Sequence, residues 1–84
     1  MSVEILKFSA TWCGPCRVLS SILKDVEGIT NVDIDQQKDL AIKHNVRSVP
    51  TIVFLKDGEQ VERTTGVITL NKYNDIINNL KNQE

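Results

Sequence analysis

The reactive side chains of this chain are gathered in Trp12-Cys13-Gly14-Pro15-Cys16. Its two cysteines are the only ones in 84 residues, and two residues separate them. A thiolate, not a thiol, attacks a disulfide, and a free cysteine has a pKa of about 8.5. A working pair therefore needs a device that favours the anion. An apolar run and a short small-residue stretch, Ser9-Ala10-Thr11, lead into the pair, and a helical pattern leads out. Cys13 then falls at a helix start, where unpaired N–H groups and the positive end of the dipole stabilise negative charge. Cys16 lies one turn on, close enough to resolve a mixed disulfide at Cys13. Pro15 suits the first turn because its missing N–H had no partner there. Gly14 leaves the approach to Cys13 open. The pattern points to thiol–disulfide exchange, with Cys13 as nucleophile and Cys16 as resolving thiol. A structural zinc half-site is the rival use. Zinc wants four ligands, whereas this chain has one histidine and no second cysteine pair. Inert core thiols are the other rival, and they leave the position before a helix unexplained. The loop between the cysteines is too short for an ordinary stabilising staple.

The elements that must position the pair follow from periodicity. Val3 to Phe8 reads as a short, central strand. A helix is expected from Cys13 to Val26, with Val18, Leu19, Ile22, Leu23 and Val26 on its apolar face and Gly28 as its cap. Thr30 to Ile34 alternates as a strand with one wet face, parallel to the first if the helix is a crossover. A second helix is expected over Gln37 to Asn45, started by Asp35 or Gln36, with Leu40, Ala41 and Ile42 apolar. Thr51 to Leu55 is a β-branched and aromatic run, a second central strand. Asp57-Gly58 signals a two-residue hairpin into Gln60 to Thr65, with Val61 expected inward. Thr69 is a good N-cap for a last helix carrying Leu70, Tyr73, Ile76, Ile77 and Leu80. The tail Lys81-Asn82-Gln83-Glu84 is expected to fray. The expected order is β-α-β-α-β-β-α, an α/β fold with helices on both faces of a four-stranded mixed sheet, in one domain spanning residues 1–84.

Trp12-Cys13-Gly14-Pro15-Cys16 resembles the active site of the thioredoxin family, the small dithiol–disulfide oxidoreductases. The resemblance covers essentially the whole chain, which is similar to a minimal thioredoxin fold of glutaredoxin size. It implies no bound cofactor beyond a redox-active Cys13–Cys16 disulfide. It also implies a cis Pro50 facing the cysteines, in Val49-Pro50-Thr51. There the Val49 backbone is free to pair with an extended substrate, and the proline ring stands where a metal ligand could otherwise sit. A trans proline that merely starts a strand is the alternative. Gly66 matches the family's glycine after the fourth strand and would let a substrate backbone pass beside Trp12, or it serves only as a lead-in to the helix. Trp12 is expected to flank the thiols as an apolar contact surface, or simply to pack.

One position departs from the family. A buried carboxylate usually stands six residues before the first cysteine, and here that residue is Lys7. The family's lysine on the second strand is Asn31. Lys7 could act as a desolvated amine, favour the thiolates by its charge, or snorkel to solvent and leave proton transfer to water. His44 is read as solvent-facing or capping, and Asp33 with Asp35 as the polar side of an edge strand, so no metal site is expected.

Ten Lys and Arg against eleven Asp and Glu give a net charge of −1, which offers no polybasic surface for nucleic acid or membrane. No stretch approaches the roughly 18 apolar residues of a membrane span. The start, Met1-Ser2-Val3-Glu4, lacks the pattern of a signal peptide. The expectation is a cytoplasmic monomer that reduces protein disulfides. By the resemblance it is reset by an NADPH-dependent thioredoxin-reductase-like flavoprotein, and it serves clients such as ribonucleotide reductase. A glutathione-recycled, glutaredoxin-like oxidoreductase and a non-catalytic binding module are the alternatives.

Overall fold

The computed structural model describes residues 2–82. The elements are β1 (Val3–Ser9), α1 (Gly14–Ile22), β2 (Ile29–Asp33), α2 (Lys38–Lys43), β3 (Thr51–Lys56), β4 (Glu59–Thr65) and α3 (Leu70–Lys81). They build one mixed sheet in the order β2-β1-β3-β4. β1 and β2 run parallel, while β3 is antiparallel to both β1 and β4. This is the α/β architecture expected from the periodicity.

Side-chain alternation divides the sheet into two apolar faces. Ile5, Ile52 and Phe54 pack with Leu19 and Leu23, and with Tyr73, Ile76 and Leu80 of α3. Leu6, Phe8, Val32, Val53 and Leu55 face the other way, onto Ala41 of α2. The central strand β3 is buried from Thr51 to Leu55, as a strand covered on both faces must be.

The structure corrects several boundaries. α1 ends at Ile22 rather than Val26, with Leu23 as its cap. Gly28 instead leads into β2 at φ 85°. Val18 is 52% exposed, so the apolar face of α1 is narrower than its composition suggests. α2 is shorter than expected, capped at its start by Gln37 without a side-chain bond, and Asn45 follows its end at φ 55°. Ile42 is exposed.

Val61 does not point inward. A bulge lies opposite Phe54 and Leu55, which pair with Glu62 and Gln60, so Val61 between them has no partner and is exposed. The Asp57-Gly58 turn has φ 52° and 88°, the left-handed pair that such a hairpin requires. Thr69 caps α3, its hydroxyl accepting the Lys72 N–H at 3.1 Å. Of the tail expected to fray, Lys81 closes α3 and Asn82 is its cap, while residues 83–84 lie outside the described residues.

Candidate active site

The site forms where β1 ends, α1 begins and the chain enters β3. The turn after β1 is closed by the Cys13 N–H donating to the Ala10 carbonyl at 3.2 Å. Cys13 is the N-cap of α1, with Gly14 and Pro15 opening the helix. Its sulfur accepts the Cys16 N–H at 3.1 Å. An N-cap side chain normally offers oxygen to this orphan donor. Here sulfur takes that place, so the nucleophile candidate is held by the helix's own backbone.

Cys13 and Cys16 form a disulfide, their Cα atoms 5.3 Å apart. Both are buried, packed with Ala10 against Ile34 and Val49. Cys13 Sγ lies 3.8 Å from the Val49 carbonyl oxygen. Gly14 has open space where a Cβ would stand, so packing within the chain does not require glycine there.

The Val49–Pro50 bond is cis, and Val49 packs against the cysteine pair. The Pro50 carbonyl accepts the Gly66 N–H at 2.8 Å, and the Thr51 hydroxyl donates to the Ser48 carbonyl at 2.7 Å. Gly66 sits at φ 84°, a conformation that costs any side chain, and that fixes the end of β4 beside the proline.

Trp12 is 67% exposed rather than packed inside. Its indole N–H donates to the Asp35 carboxylate at 3.0 Å. Asp35 N–H in turn donates to Asp33 Oδ1 at 2.9 Å. Arg17 donates to the Thr11 carbonyl at 2.9 Å and braces the same loop. These partners escaped the sequence reading, because a carboxylate 23 residues away that orients an indole has no local signature.

Lys7 is buried along its stem and ends on the exposed Ser20, in an open cleft. It is 7% exposed, and its Nζ donates to Ser20 Oγ at 2.8 Å. Burial lowers its pKa from the usual 10.5. Its ammonium thus ends on a serine at the surface of α1, and Ser20 joins the residues that reading missed.

His44 stands apart from the cysteines. It is the C-cap of α2, its ring 5.9 Å from that of Phe8. Burial first, then Lys43 and Arg63, lower its pKa. Among the described residues, no group of three or more His, Cys, Asp or Glu could hold a metal ion. No helix among them is long and apolar enough to cross a membrane.

Sheet, helix-borne cysteine pair and adjoining cis-proline loop define a dithiol–disulfide exchange protein of the α/β class. The thioredoxin family model matches residues 2–81. Thioredoxin of Staphylococcus epidermidis is 37% identical over 71 residues, covering 76% of this chain and 68% of its own length. Thioredoxin of Mycoplasmoides gallisepticum is 30% identical over 79 residues, covering 87% and 79%. The solved structure of a mutant thioredoxin from Halobacterium salinarum superposes with a TM-score of 0.86 at 34% identity, over 92% of this chain and 73% of that one. The chain belongs to the thioredoxin family. It is a thiol–disulfide oxidoreductase whose redox-active group is the chain's own cysteine pair. Proteins of this family are reduced by thioredoxin reductase and act on disulfide clients.

Proposed function

We propose that the chain is a cytoplasmic, monomeric reductant of protein disulfides, recharged by an NADPH-dependent thioredoxin-reductase-like flavoprotein. Ribonucleotide reductase and enzymes with similar catalytic disulfides are its proposed clients. Cys13 is the nucleophile and Cys16 the resolving thiol. Trp12, the Val49 backbone, Pro50 and Gly66 form the platform on which an extended client segment lies.

The observation that supports this most is the Cys16 N–H aimed at Cys13 Sγ at 3.1 Å. In the reduced protein the same donor favours a thiolate at Cys13, because a hydrogen bond to the charged form stabilises it. That thiolate attacks one sulfur of the client disulfide. A Cys13–client bond forms, the client S–S bond breaks, and the released client thiolate takes a proton from water. Cys16 then loses its proton and attacks Cys13 Sγ. The Cys13–Cys16 bond forms, and the second client sulfur leaves and is protonated. Two electrons and two protons reach the client.

The test is recycling of the oxidised protein by two routes, with insulin as terminal acceptor. Turnover with NADPH and a thioredoxin reductase is expected. Turnover only with glutathione and glutathione reductase would assign it to glutathione recycling. Retained partner activity after both cysteines are changed to serine would make it a binding module.

A further inference from the structure

Two open clefts border α1 on either side of the exposed Ser20. One, of about 380 Å³, is lined by Lys7, Ser9, Ser20, Lys24 and Asn31 with apolar neighbours. The other, of about 400 Å³, is lined by Ser9, Ala10, Thr11, Cys16, Arg17 and Ser20. Ser9 and Ser20 belong to both. Ser20 follows Cys16 by four residues on α1, so the two side chains share one helix face. Its oxygen accepts from Lys7 Nζ on one side, and its hydroxyl proton remains to be given on the other.

Cys16 needs such a donor. The α1 N-terminus spends the Cys16 N–H on Cys13 Sγ, and Cys16 itself is 4% exposed. A buried thiolate there is costly unless a cation or hydrogen bond meets it. The ionisable groups lining the two clefts are Lys7, Lys24, Arg17 and Cys16. Asp33 lies on the same face of β2 as Asn31, but its Oδ1 accepts the Asp35 N–H and it lines neither cleft. No carboxylate lines either cleft, whereas Lys7 lines the one next to that of Cys16 and reaches Ser20, which lines both.

We infer that Lys7 and Ser20 are positioning residues for the resolving step. The Lys7 ammonium polarises the Ser20 hydroxyl, which donates, directly or through one water in the cleft, to the Cys16 thiolate. The Cys16 proton leaves through water in the cleft. The thiolate then attacks Cys13 Sγ and the client sulfur departs, so no further oxidant or reductant is involved. This inference rests on the exchange mechanism proposed above.

The test reads Cys16 alone. In the Cys13→Ser protein, Cys16 is the sole thiol, and its rate of alkylation by iodoacetamide against pH gives its pKa. Adding Lys7→Met is expected to raise that pKa by about one unit, so alkylation at neutral pH slows roughly tenfold. Ser20→Ala is expected to raise it too, while Ser20→Thr, which keeps the hydroxyl, leaves it in place. A Cys16 pKa unmoved by Lys7→Met, or unmoved by Ser20→Ala, overturns the inference. Where Lys7→Met does not fold, judged by circular dichroism, the contrast between Ser20→Ala and Ser20→Thr decides alone. The readout needs neither client nor reductase. Failed insulin reduction with the pKa shifts intact would therefore sink the proposed function and leave this pair standing.

Discussion

Cys13 and Cys16 stand three residues apart in unlike surroundings. Cys13 Sγ takes a backbone N–H and faces the Val49 carbonyl, while Cys16 lines the cleft shared with Arg17 and Ser20. Their substitutions should fail differently. Cys13→Ser is expected to abolish insulin reduction. Cys16→Ser is expected to stall with client bound, seen as a covalent adduct by mass spectrometry that dithiothreitol releases. Lys7 carries a second prediction. Because its folded pKa is lowered, the native state binds fewer protons than the unfolded chain as Lys7 titrates, so stability rises with pH across that range. Below it the buried charge is a full cost. Lys7→Met is expected to raise the thermal midpoint at pH 7 and to flatten the rise in stability toward pH 10.5, where the ordinary lysine titrates. Calorimetry at several pH values checks both. The five residues from Trp12 to Cys16 declared the chemistry in the sequence. Ser20 and Asp35 did not, because their roles come from packing across elements that no local spacing encodes.

The elements were legible where a period or a cap was written locally. The Thr69 cap, the Asp57-Gly58 turn and the apolar β3 run each fell where expected. Ends and faces were less legible. Val18 and Ile42 suit a helix core by type, yet exposure leaves them outside, since burial depends on what a face meets. The bulge at Val61 is a relation between two strands and has no signature in one. Two predictions belong here. Arg63 reaches from β4 to the carbonyls of His44 and Asn45, closing the end of α2 just before the proline loop. Arg63→Met is expected to cost about 1 kcal/mol in urea unfolding, the value of a hydrogen-bonded cap. Gly66→Ala meets open space but keeps φ 84°, so its expected cost is the backbone one alone, about 1–2 kcal/mol. The same melts measure it.

Across the whole molecule, the sheet carries one apolar layer on each face, and β3 serves both. Phe54 is fully buried against Tyr73, their ring centroids 5.9 Å apart. Phe54→Ala is expected to cost about 3–5 kcal/mol. In a chain of 84 residues that is a large part of what a small core supplies, so a marked fall in the urea midpoint is expected. The outermost strands have a different consequence. β4 offers a free backbone edge, and such edges are templates for runaway stacking of chains into fibrils. The unpartnered Val61 interrupts its regular spacing, and Glu59, Glu62 and Arg63 charge it. The residue that reads as a misplaced core valine thus breaks the regular ladder a second copy would need along this edge. Deleting it would straighten the strand and offer the next copy an unbroken ladder.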